Sequence, residues 1–312
     1  MVNAANPANA DTERPCPRYS GIDVWAPRDA LDAMIEGQFA AVAAVRAERA
    51  QIEAAALAME ARLRDGGRLI YAGAGTSGRL AVQDGAELMP TFSWPAHRLL
   101  LLIAGGSEAL MQAVEGAEDE AAKAVEAIRQ HAVSPADVLI AVAASGTTPF
   151  TLACLREAGR LGALTIGIAN NPRTPLLAEA RHGILLDTGP EPIAGSTLMN
   201  AGTAQRITLN LLSSLVMIRL GRVYKGLMVD VQASNTKLAQ RREAIVRSLT
   251  GRTSEDARDA LLRAGGSIKL AVLLLHGSDL PTARAALDQS GGQLRAAIDR
   301  IAREQPPARS AG

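Results

Sequence analysis

Three segments of the chain mix glycine with hydroxylated residues in a pattern suited to holding an anion. They are Gly73-Ala74-Gly75-Thr76-Ser77-Gly78-Arg79, Ala144-Ser145-Gly146-Thr147-Thr148-Pro149 and Ala194-Gly195-Ser196-Thr197. The first two fall between an apolar run and a helical pattern, and the third opens a long helical pattern. Small residues let backbone N–H groups close on an anion, and a helix start adds a favourable dipole. Gly75 and Gly146 keep the backbone open, while Thr76, Ser77, Ser145, Thr147, Thr148 and Ser196 supply hydroxyls. Pro149 suits a first helical turn, where its missing N–H is not needed. The first segment also spells G-x-G-x-x-G, the dinucleotide fingerprint, which wants an acidic residue about 20 positions on. Residues 93–98 read SWPAHR, and no acid ends the run that follows. Tight turns with N-caps would use the same residue types, so that reading stands beside the phosphate one. Three such loops without a Walker lysine favour a small phosphorylated metabolite over a nucleoside triphosphate.

Acid–base work on a carbon acid needs two groups of unlike proton affinity. Asp84 and Glu87 fall late in a helix expected to begin at Gly78 and to stop before Pro90. Helix C-terminal carbonyls disfavour an ionised carboxylate, which suits a proton donor. Glu115, Glu118, Asp119 and Glu120 cluster after a second apolar run, with Gly116 interrupting. Glu118 then stands near a fresh helix start, which suits a proton acceptor. A solvated acidic helix start explains that cluster equally well. His97, His131, His182 and His276 are scattered, with no metal-ligand spacing, so no metal site is expected. No G-x-S-x-G elbow occurs, and Cys154 sits in an apolar helical pattern as an inert thiol.

These groups need a scaffold, and the apolar runs describe one. RLIYAGAG (68–75), RLLLLIAGG (98–106), DVLIAVAASG (137–146), ALTIGIANN (163–171) and HGILLDTG (182–189) alternate with helical segments at 107–129 and 149–160. Strands that are apolar throughout predict an α/β fold with a parallel sheet covered on both faces. Leu69, Ile70, Leu101, Leu102, Ile140, Val142, Ile166 and Leu185 are the expected strand core. Ahead of the sheet, residues 1–27 read as an extended arm tied down by Tyr19 and Trp25. Leu31, Met34, Ile35, Phe39, Val42 and Val45 then mark one face of a helix. Helices follow at 198–220 and 234–248, and three more at 255–263, 268–275 and 283–298. We divide the chain into an N-terminal arm and helix (1–50), a central α/β domain carrying the candidate phosphate loops (51–248) and a small C-terminal helical bundle (249–312).

The 312 residues carry 33 Lys plus Arg against 32 Asp plus Glu, and aromatics are 3%. A near-neutral chain with few rings offers no general surface for nucleic acid, and no membrane partner is expected. The apolar stretch 207–220 is 14 residues long and holds Arg219, against roughly 20 for a spanning helix. Two cysteines build no disulfide framework and fit a reducing cytoplasm.

YAGAGTSGRLAVQDGAELMPTF (71–92), IAGGSEALMQAVEGAED (103–119), AASGTTPF (143–150), GSTLMNAGTAQR (195–206), GLMVDVQASNTKL (226–238) and DQSGGQLRAAI (288–298) together resemble the N-acetylmuramic acid 6-phosphate etherase family. This is a branch of the sugar isomerase (SIS) domain proteins that includes the glucokinase regulatory protein. The resemblance implies a three-layer αβα sandwich with a five-stranded parallel sheet, a helical C-terminal cap and a homodimer without metal or organic cofactor. It implies hydrolysis of the lactyl ether of N-acetylmuramic acid 6-phosphate to N-acetylglucosamine 6-phosphate and D-lactate, in peptidoglycan recycling. By motif, Glu118 in EGAED is the base at C2 and Glu87 in GAELMPT the acid at the leaving lactate. The same resemblance implies that Ser77, Ser145 and Thr148 hold the phosphate. Three cations of the family pattern are absent: Thr147 stands for an arginine, Leu198 for an arginine and Asn200 for a lysine. Met89 replaces a proline and Ser290 a histidine. Arg79 and Arg206 are the cations left to compensate. A non-catalytic sugar-phosphate regulator and an aldose–ketose isomerase are the competing expectations.

Overall fold

The computed structural model describes residues 10–232 and 235–304. The five apolar runs form five parallel strands: β1 (Leu69–Gly73), β2 (Leu99–Ile103), β3 (Val138–Val142), β4 (Leu164–Ala169) and β5 (His182–Leu185). Their order is β2-β1-β3-β4-β5. β1, β3 and β4 are buried along their whole length, as parallel strands with both faces covered must be. Leu101 and Leu185, expected in the core, are only half-buried because β2 and β5 are the sheet edges. At the strand starts, Asp137 is 2% exposed and takes the Arg68 guanidinium through Nη2 at 2.7 Å and Nε at 3.0 Å. That pair ties the entry of β1 to the entry of β3.

The covering helices are α1 (Pro27–Ala47), α2 (Arg49–Arg64), α3 (Gly75–Phe92), α4 (Ala121–Gln130), α5 (Pro149–Arg160), α6 (Pro175–Glu179) and α7 (Asn200–Arg219). Two expectations need correction. The helix expected over 107–129 is two 3-10 turns, Gly106–Leu110 and Ala117–Asp119, and then α4. Gly105, Gly106 and Gly116 have φ of 84°, 69° and 70°, a conformation that ends helices. The helix expected from Gly78 starts at Gly75 and passes through Pro90 to Phe92. On α1 the residues that turn inward are Ala33, Gly37, Ala41, Ala44 and Val45. Leu31, Ile35, Phe39 and Val42 are each more than half exposed.

The chain forms two compact units. One comprises residues up to Ala86 with Ala96–Ser214, and the other Glu87–Pro95 with Leu215 onward. The second unit holds a short hairpin, β6 (Val223–Tyr224) and β7 (Leu227–Met228), and five helices. These are α8 (Thr236–Thr250), α9 (Ser254–Arg263), α10 (Ile268–Leu275), α11 (Leu280–Gln289) and α12 (Leu294–Glu304). The single helix expected over 283–298 is split, because Gly291 and Gly292 take φ of 57° and 75°. Side-chain caps from Asn235, Thr253, Ser267 and Asp279 start α8 to α11. Within this unit the buried Lys269 reaches Asp230 at 2.8 Å, and Arg222 lies over the Trp94 ring at 5.2 Å. Among the described residues, no helix is long and apolar enough to cross a membrane.

Candidate active site

The strand order reverses at β1: the chain leaves it for β2 on one side and returns with β3 on the other. In open parallel sheets the crevice beyond such a switch point is where ligands bind. The register pairs Gly73 with Val142 at the tips of β1 and β3, so the first two glycine–hydroxyl loops emerge side by side there.

The first loop is held tight by glycine against glycine. A Cβ on Gly73 would stand 2.9 Å from the Gly78 Cα, and one on Gly78 would stand 2.9 Å from Gly73 and from the Ile103 side chain. The turn closes to a single residue, Ala74, and puts the free N–H groups of the first turn of α3 at the strand tips. Gly75 is exposed, Thr76 half-buried and Ser77 buried. In the second loop, Gly146 has φ of 66°. The Ser145 hydroxyl accepts from the Thr147 N–H at 3.2 Å and lies 3.3 Å from the Thr148 hydroxyl. Thr174 backs Gly146 so closely that a Cβ there would fall 2.3 Å from its Oγ1. Ser145, Gly146, Thr147 and Thr148 thus form one rigid bend ahead of α5. α7 starts beside the first loop, since a Cβ on Gly202 would lie 3.7 Å from Leu80 and 3.9 Å from Thr76.

The third loop differs from expectation. Ser196 is half-buried in the segment before α7, but the helix begins four residues later at Asn200. The N–H groups of Asn200 and Ala201 already donate to the buried Glu191 carboxylate at 2.9 and 2.8 Å. Burial pushes the Glu191 carboxyl up, and those two N–H bonds pull against it. This helix N-terminus is occupied by the chain's own anion, so Ser196 brings only its hydroxyl. No spacing signal in the sequence pointed to Glu191.

A cavity of about 300 Å³ opens beside the first loop, lined by Gly75, Thr76, Arg79, Glu115 and Glu118 among others. Glu118 is exposed and sits in the short turn Ala117–Asp119, raised by the left-handed Gly116. The cavity wall is fixed by Arg79, whose Nε and Nη2 donate to the Ala109 and Gln112 carbonyls at 2.8 and 3.1 Å. Arg79 thereby supports the segment carrying Glu118, a role that neither composition nor motif suggested.

The other carboxylates separate. Asp84 is 2% exposed and accepts from the Tyr71 hydroxyl at 2.8 Å and the Ser213 hydroxyl at 3.3 Å. Arg206 Nη1 lies 3.5 Å from it. Burial, then Asp84, pushes the Tyr71 hydroxyl well above its ordinary range. Asp84 is therefore a structural acceptor inside the sandwich, and Arg206 is engaged with it. Glu87 is exposed on α3 and does not line the Glu118 cavity. The dipole argument does not hold for either glutamate. Glu87 precedes the last turn of α3, and the three-residue turn around Glu118 is too short for a macrodipole. Among the described residues, no group of three or more His, Cys, Asp or Glu side chains could hold a metal ion.

Comparison with known proteins finds relatives of this chain. A profile of the glucokinase regulatory protein N-terminal SIS domain matches residues 51–158, and a SIS domain profile matches 118–215. An N-acetylmuramic acid 6-phosphate etherase of Deinococcus radiodurans is 50% identical over 91% of this chain and 93% of its own length. One of Streptomyces coelicolor is 45% identical over 92% and 93%. A solved phosphoheptose isomerase from Francisella tularensis superposes with a TM-score of 0.47 at 20% identity, over 62% of this chain and 98% of its own.

Proposed function

Because the chain belongs to the N-acetylmuramic acid 6-phosphate etherase family, we infer that it is a carbon–oxygen lyase. It cleaves the lactyl ether of N-acetylmuramic acid 6-phosphate to N-acetylglucosamine 6-phosphate and D-lactate. The observation that carries this reading is 50% identity to an etherase over 91% of the chain, beside which Glu87 and Glu118 stand in segments that resemble the family's motifs.

We propose the following roles. The phosphate rests on the N–H groups of Gly75, Thr76 and Ser77 and faces the Gly146–Thr148 bend, whose Gly146 and Thr147 N–H groups serve Ala143 and Ser145, with hydroxyls of Ser77, Ser145, Thr148 and Ser196 around it. In the ring-opened sugar the C1 aldehyde acidifies the proton on C2. The Glu118 carboxylate takes that proton, and the C–H electron pair becomes the enolate π bond. The C3–O bond then breaks and the departing lactate oxygen takes a proton from Glu87. Water adds across the resulting C2=C3 bond, hydroxyl to C3 and hydrogen to C2. The summed reaction consumes one water and needs no electron acceptor. Positioned acid–base groups supply roughly 10²–10⁴-fold each. We place the reaction in the cytoplasm, in recycling of cell-wall amino sugar, by a homodimer.

The test is direct. The purified protein should release D-lactate from N-acetylmuramic acid 6-phosphate, and Glu118→Gln should lower that rate at least 100-fold. Glu118→Gln should also stop exchange of the C2 proton with solvent deuterium, which the Glu87→Gln protein should retain. Tight binding of hexose 6-phosphates without lactate release would favour the regulator reading, to which the match at residues 51–158 lends weight.

A further inference from the structure

We propose that a cavity at the start of β4, at the end of the sheet opposite the crevice, binds a small polyanion with two or more phosphate groups. The cavity measures about 730 Å³ and is lined by Arg62, Arg156, Arg160 and Arg181, with Glu179 as the carboxylate among them. These guanidinium groups come from α2, from the end of α5 and from the segment joining α6 to β5. Leu164 and Thr165, which open β4, line the cavity as well. α5 links this place to the crevice. It leaves the 145–148 bend at Pro149 and reaches the cavity at Arg160, about 16 Å along its axis. A sugar phosphate in the crevice therefore leaves the cavity open.

The charges here do not cancel. Arg156 donates from Nε and Nη2 to Glu179 at 2.6 and 2.7 Å. Arg160 donates from the same two atoms to the buried Glu157 at 2.9 and 2.8 Å, and Arg129 adds a bond to Glu157 at 2.7 Å. Pairing with these carboxylates, and with the carbonyls that end α5, accounts for Arg129, Arg156 and Arg160. It does not account for the other two. Arg62 Nη1 donates to the Pro135 carbonyl, which carries no charge. The Arg181 side chain makes no hydrogen bond or ion pair among the described residues, and its backbone N–H donates to Thr165 Oγ1 at 3.1 Å. Five guanidinium groups thus stand against two carboxylates, an excess of three positive charges. The field reaches a neighbour: burial, and then Arg181, push the His182 imidazole below its ordinary range.

Donors as well as charge are left over. A guanidinium offers five N–H groups in a planar fork that matches phosphate oxygens. Among the described residues, Arg156 and Arg160 keep Nη1 free, Arg62 keeps Nε and Nη2, and Arg181 keeps its whole fork. A phosphate monoester carries only about −1.5 to −2 charges near neutral pH, short of the excess. A diphosphate matches it, and the cavity volume lies within the usual range for a small-molecule site.

Isothermal titration of the full chain with inorganic pyrophosphate tests this, with a chelator present to remove divalent cations. N-acetylglucosamine 6-phosphate is held at saturation to fill the crevice. Pyrophosphate should still bind, at one site per chain. Arg62→Ala and Arg181→Ala should each weaken that binding about tenfold, or about 1.4 kcal/mol. Glu179→Gln should tighten it severalfold, because it removes the lining carboxylate and frees Nε and Nη2 of Arg156. All three side chains are exposed, so the variants should fold, which circular dichroism and urea unfolding check. ADP in place of pyrophosphate identifies the source of the phosphates. Tighter binding of ADP names a nucleotide, equal or weaker binding names the bare diphosphate, and either supports the site. Absence of pyrophosphate binding with the crevice filled overturns the proposal. So does binding that is unchanged in both arginine variants, or that weakens in Glu179→Gln. None of these readings depends on lactate release, so failure here leaves the lyase reading standing.

Discussion

Gly146→Ala should damage phosphate binding more than any other single methyl added to the site. Gly146 holds φ of 66°, where an L-residue loses about 1–2 kcal/mol. The new Cβ would also fall 2.3 Å from Thr174 Oγ1 and 2.5 Å from its Cβ. Thr174 is 2% exposed, so it has no open space to enter, and overpacking of this kind costs about 1–3 kcal/mol. Together the two effects give a loss of about 2–5 kcal/mol. The bend relieves the clash only by moving the N–H groups and hydroxyls of 145–148. Urea unfolding reads the stability loss, and KM for the sugar phosphate should rise at least tenfold while kcat changes less. Thr174→Gly removes the steric partner, so the double variant should recover the overpacking share and leave the backbone share. A Gly146→Ala protein within 0.5 kcal/mol of wild type, with unchanged KM, would refute both the packing argument and the placing of phosphate at this bend.

Other outcomes follow from single contacts. Thr147→Arg restores a cation where the family pattern has one, and a direct charge-assisted contact of about 1.5–3 kcal/mol should lower KM tenfold or more. Isothermal titration with a hexose 6-phosphate checks the same change. Asp137→Asn should cost about 3 kcal/mol in urea unfolding, since it leaves the Arg68 guanidinium at the strand entries without its carboxylate. Burial works to raise the Asp137 carboxyl, but the Arg68 and Ser134 contacts outweigh it and hold the group below its ordinary 3.8. Its stabilisation is therefore present above about pH 4 and is lost as pH falls below that. The wild type should lose stability over that fall more steeply than Asp137→Asn. Burial pushes the Cys154 thiol up to about 12. A disulfide reagent at pH 8 should thus titrate one thiol, Cys16, in the native protein and both after unfolding.

The strands were legible because burial on both faces forces apolar runs, although the buried helix α10 carries such a run too. The phosphate loops were legible for a related reason: close approach of backbone to backbone leaves only glycine at positions such as 73 and 78. Partnership across the fold was not legible. Asp84 looked like a second catalytic acid until Tyr71, on the neighbouring strand, was seen to hold it. Glu191 was invisible as the anion on α7, because nothing local relates it to Asn200. Periodicity placed Leu31, Ile35, Phe39 and Val42 on one helical face, but a face is not a burial. Whether a chain covers its own apolar stripe depends on what packs there, and here the small residues of α1 won the interior.

The three missing cations do not weigh equally once their positions are known. Leu198 is exposed ahead of α7, so an arginine there would have had water as a competitor. Asn200 is buried, and its Oδ1 accepts from Gln38 at 3.2 Å. A Cβ on Gly37 would come within 2.6 Å of that oxygen. A longer lysine at 200 would have to find room where α1 and α7 now pack directly, so Asn200 and Gly37 form a matched pair. Only Thr147 lies inside a loop proposed to grip phosphate, and its N–H is engaged with Ser145. The chain has thus lost at most one cation from the proposed cradle, within reach of two helix starts and several hydroxyls. An anion held by aligned N–H groups depends less on a side-chain charge than one held by arginine alone. On that ground phosphate affinity should survive in weakened form. The measurable consequence is salt dependence: added chloride should shift KM for the sugar phosphate less in the native protein than in Thr147→Arg.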